Sequence, residues 1–153
     1  MGHFKDESEV YTFIGRLLQE LAADPELAPK LTRANTTLQY QMHDPQSQIT
    51  VDMRPGRDVR VDLGSTELEP EVVMMLPADA AHRFWLGSIN VTDALARGQI
   101  KARGPLAKIL RLVPLVEPSF ARYEQMLRDA GRSDLLEAAA WGRSPRQSSA
   151  YSS

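Results

Sequence analysis

The chain of 153 residues contains no cysteine. Disulfide bonds, thiolate metal ligands and cysteine nucleophiles are therefore excluded from its chemistry. This absence fits a reducing compartment. Because the N-terminal residues also lack the basic and then apolar layout of a secretory signal, we expect a cytoplasmic location.

Long apolar runs and a strong charge of one sign are also absent. No run approaches the roughly 18 apolar residues of a membrane-spanning helix, and the formal net charge is only −2. The densest basic cluster has no interleaved aromatic side chain for stacking on bases, so we predict a basic rim and no nucleic-acid partner. Beside a pocket, such a rim can meet a ligand carboxylate, an acyl carrier or anionic lipid heads. The cluster comprises Arg97, Lys101, Arg103, Lys108 and Arg111.

Residues with catalytic or metal-binding potential are few and scattered. The three histidines, His3, His43 and His82, have no metal-ligand spacing to one another or to a carboxylate. No glycine-rich phosphate loop and no Gly-x-Ser-x-Gly nucleophile motif occurs. We therefore predict that the protein is not an enzyme, with no catalytic residue, no metal and no cofactor.

Residues 6–23 carry the pattern of a helix that covers a sheet. Their apolar side chains recur at three- and four-residue spacing and give one apolar face. Asp6 or Ser8 can cap the start of this helix, and Asp24-Pro25 ends it.

Three strands are predicted next, over residues 36–42, 49–53 and 59–63. Apolar and polar side chains alternate in each, and the short turns between them require antiparallel pairing as a meander. One face of this sheet is apolar, and we expect the other to be solvated. The polar face carries Gln39, Gln41, Thr50, Asp52, Arg60 and Asp62.

Residues 71–76 read EVVMML and do not alternate. This pattern predicts a central strand covered on both sides, or one with an end near a partner. The alternative is that Met74 and Met75 form a soft wall for a hydrophobic guest, because methionine adapts to irregular shapes.

Residues 77–104 predict two short helices and a last strand. Asp79 is placed to cap the first helix, and Asn90 or Thr92 the second. Residues 99–103 alternate and form the last strand, with basic side chains facing water.

The remainder of the chain predicts more helix. Residues 105–130 carry more apolar surface than one sheet-facing stripe needs, and Pro114 and Pro118 must kink or divide this region. Residues 134–141 predict one more short helix, and residues 143–153 a flexible tail. We therefore predict one domain over residues 1–142.

Two segments carry a resemblance to a known family. Residues 84–91 read FWLGSINV and residues 94–105 read ALARGQIKARGP. With their spaced glycines, they resemble the sterol carrier protein family, the non-specific lipid-transfer or sterol-binding domain, as a stand-alone domain of bacterial type. The resemblance implies an α+β fold with a mostly antiparallel five-stranded sheet covered on one face by helices.

The resemblance also implies a function and a site. The function is non-catalytic binding or transfer of a sterol or steroid, a fatty acid or an acyl chain in an apolar cavity between sheet and helices. The partner is then a hydrophobic small molecule (a sterol, fatty acid or acyl-CoA), with transient membrane or enzyme contact. Pro114 would make part of the helical cover pliable. The expected lipid-binding residues are Met74, Met75, Phe84, Trp85, Ile89, Ile109, Leu112, Val113, Val116 and Phe120.

Two other functions stay open on the same sequence. An enzyme, or an accessory subunit of one, would use the pocket for a hydrophobic substrate and would need an inward polar pair. His82 and Tyr40 are the best candidates for that pair. A protein–protein interaction module would instead present apolar surface to a partner, for example as a homodimer across residues 74–76.

Overall fold

The computed structural model describes residues 3–136. The predicted tail, residues 143–153, lies outside the described residues. So does most of the helix predicted over residues 134–141, although residues 133–136 are helical.

The N-terminal helix runs without a break from residue 7 to residue 23. It consists of α1 (Glu7–Val10), a π-helical segment (Tyr11–Gly15) and α2 (Arg16–Ala23). The predicted cap is confirmed at Asp6, whose carboxylate accepts a hydrogen bond from the Glu9 backbone N–H at 3.1 Å. The helix is followed by α3 (Ala28–Leu31) and a 3₁₀ turn (Thr32–Ala34).

Five strands form one sheet in the order β3-β2-β1-β4-β5. The predicted α+β fold and the antiparallel meander of β1, β2 and β3 are confirmed. The sheet is mixed, because β4 pairs parallel with β1 and antiparallel with β5. The strands are β1 (Thr37–His43), β2 (Ser47–Asp52), β3 (Arg60–Leu63), β4 (Val72–Pro77) and β5 (Lys101–Arg103).

The helices α4 to α8 of the C-terminal half add to the cover on the apolar face of the sheet. Pro114 lies in the first turn of α7 and Pro118 at the N-cap of α8, so the two prolines divide this region as predicted. Asn90 caps α5 as predicted, but Asp79 is not the cap of α4. Pro77 occupies that position, and Asp79 accepts a hydrogen bond from the His3 backbone N–H. The helices are α4 (Ala78–Trp85), α5 (Val91–Ala96), α6 (Leu106–Leu110), α7 (Val113–Val116) and α8 (Ser119–Asp129).

The predicted solvated face of the sheet is buried at three of its six polar positions, whereas Gln41 and Asp62 are half-buried and Arg60 is exposed. The exposed fractions of Gln39, Thr50 and Asp52 are 6%, 0% and 2%. Gln39 donates to the Thr50 hydroxyl at 3.1 Å, and Asp52 accepts two bonds from the Arg54 guanidinium. That guanidinium lowers the pKa of Asp52 to about 2. Hydrogen bonds between these side chains therefore replace the hydrogen bonds that water would make to them.

A crossover explains that burial. Residues 64–71 connect β3, at one edge, to β4 on the far side of β2 and β1. The crossover contacts the polar face, because Thr66 donates to Asp62 at 2.6 Å and Glu67 pairs with Arg60. Its residues also alternate between half-buried and exposed, as an extended segment on a sheet does. The prediction of a solvated face was wrong for Gln39, Thr50 and Asp52, because alternation along a strand does not reveal what later covers it.

Gly104, in the segment that resembles the family, lies too close to a neighbouring strand for any side chain to fit. Gly104 follows β5 with φ +93°, and a Cβ there would overlap the carbonyl oxygen of Glu71. Glycine therefore allows the edge strand β5 to lie against the start of β4. Lys101 and Arg103 on β5 are exposed, as predicted for an edge strand.

Candidate functional site

Two narrow apolar clefts lie between the sheet and its helical cover. The first has a volume of about 60 Å³ and lies between α2, the β1–β3 meander and the helices α4, α6 and α7. The second has a volume of about 40 Å³ and extends toward β4 and α5. Each has room for only a few water molecules. Both clefts are lined by Tyr40, Phe84, Trp85, Ile109 and Val113, here called the shared wall.

An aromatic cluster forms one side of the shared wall. The rings of Phe84 and Trp85 meet edge to face, with centroids 5.0 Å apart and an interplanar angle of 76°. Phe120 of α8 packs edge to face on both, with centroid distances of 5.4 Å and 6.2 Å. Such edge-to-face contacts stabilise the packing beyond the burial of apolar area alone. They hold α8 against the part of α4 that lines the clefts.

The structure brings together most of the residues that the sequence predicts for the site. Four belong to the shared wall (Phe84, Trp85, Ile109 and Val113), Leu112 and Val116 line the first cleft, and Met74 lines the second. Phe120 supports the aromatic cluster without lining either cleft. Ile89 is half-buried and lines neither of them.

Met75 does not share the site with Met74. In the register with β1, Met74 lies opposite Tyr40 and Met75 opposite Gln41. Successive side chains of a strand point to opposite faces. Met75 is therefore on the polar face, beside Lys101 of β5, and cannot form a wall of these clefts.

Several lining residues are absent from the sequence-based set. Some signals were present, because Leu38, Val51 and Met53 alternate with polar residues along their strands, and Leu18 and Leu21 belong to the apolar face of residues 6–23. Each pattern is equally typical of ordinary core, so it did not mark a cleft. The additional residues are Leu18, Leu21, Leu31, Leu38, Val51, Met53 and Val59 in the first cleft and Leu76, Ala81, Val91 and Ile100 in the second.

Within residues 3–136, no charged side chain lines either cleft. Among the described residues, Tyr40 and Trp85 are the only lining side chains with an N–H or O–H group. Burial raises the pKa of Tyr40 to about 12, so its hydroxyl stays protonated at neutral pH. The site therefore offers apolar surface and neutral hydrogen-bonding groups.

His82 is fully buried in the core and lines neither cleft. Its Nδ1 is 2.8 Å from the Tyr123 hydroxyl, and its Nε2 is 3.1 Å from the Leu135 carbonyl oxygen. Burial lowers the pKa of His82 to about 4, so the ring is neutral at pH 7. Because a carbonyl oxygen can only accept, Nε2 carries the proton and Nδ1 accepts from Tyr123.

This arrangement corrects one expectation about His82. It was paired with Tyr40 as the best candidate for an inward polar pair, but both of its ring nitrogens are hydrogen-bonded within the core and it lines neither cleft. His82 therefore contributes no general base to this site.

In the basic cluster, Lys108 has an acidic partner. Lys108 donates to the Asn35 carbonyl oxygen and to the Glu71 carboxylate, both at 3.0 Å. Arg97, Lys101 and Arg111 are exposed. The cluster thus supplies a positive surface near the cover helices, and none of its members lines a cleft.

Residues 3–136 contain neither a metal-binding cluster nor a membrane-spanning helix. No three histidine, aspartate or glutamate side chains there are grouped to hold a metal ion. No helix in this part of the chain is both long and apolar enough to cross a membrane.

A known protein family matches this chain. The model of the SCP-2 sterol transfer family matches residues 14–117, more than half of the chain. None of the curated proteins matches the chain.

Solved structures share the fold at low sequence identity. Sterol carrier protein 2 from Yarrowia lipolytica, in its apo form, has a TM-score of 0.59 at 17% identity, over 71% of this chain and 92% of that chain. The sterol carrier protein domain 2 of Helicoverpa armigera has a TM-score of 0.58 at 15% identity, over 82% and 94%. Palmitated SCP2L2 from Aedes aegypti has a TM-score of 0.53 at 23% identity, over 70% and 93%.

Proposed function

The chain belongs to the SCP-2 sterol transfer family, and from this premise we propose that it binds a hydrophobic molecule between its sheet and its helices without reacting with it. The guest is a sterol or steroid, a fatty acid or an acyl chain. The observation that carries the proposal is the pair of adjoining clefts, whose linings are mostly apolar and include no charged side chain from residues 3–136. A protein of similar fold, SCP2L2 from Aedes aegypti, has been solved in a palmitated form.

Binding of a lipid requires the cover to move. Sites for small molecules usually have volumes of roughly 300–1,000 Å³, whereas the clefts have volumes of about 60 Å³ and 40 Å³. The shared wall separates them, so displacement of its side chains would merge the two. Burial of a lipid then gains roughly 25 cal/mol per Å² of apolar surface, less the cost of ordering and opening.

The helices α6 and α7 are the part of the cover best suited to open. They have only five and four residues, and a two-residue turn separates them. Helices this short gain little stability from their own hydrogen bonds. They are held mainly by the burial of Ile109, Leu112 and Val116, and a lipid chain can replace those apolar contacts.

Mass spectrometry of the freshly purified protein under native conditions tests the proposal. We expect an apolar guest at one per chain, released on denaturation and identified after organic extraction. A protein without a guest should take up added palmitate or cholesterol in the same measurement. A chain that carries no lipid and takes up neither compound would overturn the proposal and favour an interaction module. The oligomeric state read from the same spectra would then indicate whether the partner is a second copy.

A further inference from the structure

We propose that Tyr40 is the polar anchor of the lipid site and that the guest is a neutral lipid whose hydroxyl or carbonyl oxygen is buried beside it. This inference rests on the proposed function and narrows its ligand class. Tyr40 lies on the inward face of β1, in the middle of the sheet, between Ile49 of β2 and Met74 of β4. It lines both clefts.

The Tyr40 hydroxyl differs from those of the other tyrosines that the structure describes. The Tyr11 hydroxyl donates to Glu7 and accepts from the Gln48 backbone N–H. The Tyr123 hydroxyl donates to His82. Within residues 3–136, the Tyr40 hydroxyl makes no hydrogen bond, and its residue is half-buried.

The Tyr40 hydroxyl oxygen is also not fully buried. In the described part of the chain, two side-chain nitrogen or oxygen atoms are fully buried without a hydrogen-bond partner, and these are His3 Nε2 and Arg83 Nε. The Tyr40 oxygen is therefore still open to a small molecule, and its residue borders the two clefts. A polar group in this position is available to hydrogen-bond with whatever occupies the clefts.

Charge decides which oxygen-bearing guest fits. The linings hold no lysine, arginine or histidine among the described residues. An ionised carboxylate beside Tyr40 would thus be buried without a cation, which is strongly unfavourable. A neutral hydroxyl or carbonyl oxygen can instead accept the Tyr40 proton, since the buried phenol keeps it.

A second donor lies in the shared wall. The indole N–H of Trp85 has no hydrogen-bond partner within the described residues, and an indole N–H can only donate. Two donors without acceptors in an otherwise apolar lining favour a guest that brings an acceptor oxygen. A sterol alcohol, a steroid ketone or a long-chain alcohol has this chemistry, whereas a fatty acid would have to leave its carboxylate outside.

The test compares guests that differ only in the oxygen. Dissociation constants are measured for 5α-cholestan-3β-ol and 5α-cholestane, and for 1-hexadecanol and hexadecane, by displacement of a bound fluorescent lipid. We expect the wild-type chain to prefer at least one alcohol over its hydrocarbon. In Tyr40→Phe, the preference should fall by about 3- to 10-fold, the value of one neutral hydrogen bond. Affinity for the hydrocarbon should be unchanged or higher.

Tyr11→Phe is the matched control, because Tyr11 lines neither cleft. It should keep the wild-type preference. Equal affinities of alcohol and hydrocarbon for the wild-type chain would overturn the inference, even if the Tyr40 variant did not fold. A preference that persists in a folded Tyr40→Phe variant would overturn it as well. If neither lipid binds to the wild-type chain, it is the proposed function that fails.

Discussion

The imidazole of His82 on α4 accepts a hydrogen bond from the hydroxyl of Tyr123 on α8, with 2.8 Å between Nδ1 and the hydroxyl oxygen. The other ring nitrogen donates to the carbonyl oxygen of Leu135 at 3.1 Å. These buried bonds join α4, which carries Phe84 and Trp85 of the shared wall, to α8 and to the chain that follows it. The pair therefore holds the aromatic side of the clefts in place.

Removal of the Tyr123 hydroxyl should destabilise the fold. In Tyr123→Phe, the Nδ1 atom of His82 becomes a buried acceptor without a partner, which costs about 1–3 kcal/mol. Urea unfolding at pH 7 measures the loss. Tyr40→Phe is the matched control, because its hydroxyl has no bond to lose, and we expect a change of less than about 0.5 kcal/mol. Equal losses in the two variants would contradict the structural role of the pair.

Stability should fall as the pH drops below 6.5. The pKa of His82 is lowered by burial from its ordinary 6.5 to about 4. Between these values, the unfolded chain binds a proton at His82 that the folded chain does not. The free energy of unfolding should therefore decrease with falling pH across this window, by at most about 3 kcal/mol. Urea unfolding at pH 7, 6 and 5 measures the slope.

A variant isolates the contribution of His82 to that slope. His82→Gln has no titrating group at this position, so its stability should be lower at pH 7 and flatter between pH 7 and 5. Asp52 does not interfere, because its pKa of about 2 in the folded chain affects stability only below its ordinary 3.8. A His82→Gln variant with the full wild-type slope would assign the pH dependence to other groups.

The sequence predicted the meander well because its signals are local. Alternation and turn residues determine β1, β2 and β3 within a few positions. The parallel pairing of β1 with β4 depends instead on the path of residues 64–71, which begins beside β2, where Gly64 bonds to Gln48, and ends beside β1, where Glu71 bonds to Thr37. The same path crosses the polar face on which Gln39 and Thr50 are buried, so both differences in the sheet involve this long-range connection.

The composition of the clefts was predictable only in part. The surplus of apolar residues near Phe84, Trp85 and Ile109 indicated a site between sheet and helices. Nothing in EVVMML indicates which methionine faces inward, because both faces of that strand are apolar. The register decides it by placing Met74 opposite Tyr40. The role of these residues in lipid binding stays a prediction.

A larger side chain in the shared wall should weaken lipid binding. Val113 is half-buried in α7 and lines both clefts. In Val113→Phe, the larger side chain should occupy space that the guest needs and weaken binding of palmitate or cholesterol at least about 10-fold, or about 1.4 kcal/mol. Titration under native mass spectrometry measures this change.

The neighbouring helix provides the control for that variant. Ala107 is exposed on α6 and lines neither cleft, so Ala107→Phe should leave the affinity within about twofold of the wild-type value. Urea unfolding of both variants separates lost binding from lost folding, since overpacking typically costs 1–3 kcal/mol. Unchanged affinity in a folded Val113→Phe variant would mean that the guest occupies another part of the molecule.

A stiffer cover should exchange its lipid more slowly. Pro114 lies in the first turn of α7 and has no N–H to donate to the carbonyl of Leu110, the last residue of α6. Its ring also clashes with a helical carbonyl four residues earlier. Pro114→Ala removes both obstacles, so α6 and α7 can join into one helix over residues 106–116. We expect dissociation of a bound fluorescent lipid, followed by stopped flow, to slow about 3- to 10-fold, the equivalent of roughly one added hydrogen bond.

The same substitution elsewhere separates this effect from a general consequence of losing a proline. Pro29 lies in the first turn of α3, as Pro114 does in α7, but α3 does not belong to the moving part of the cover. Pro29→Ala should therefore leave the dissociation rate unchanged. If Pro114→Ala also leaves it unchanged while circular dichroism reports the added helix, the lipid does not leave between α6 and α7. Opening would then have to occur elsewhere, and α2, which supplies Leu18 and Leu21 to the first cleft, would be the next part of the cover to test.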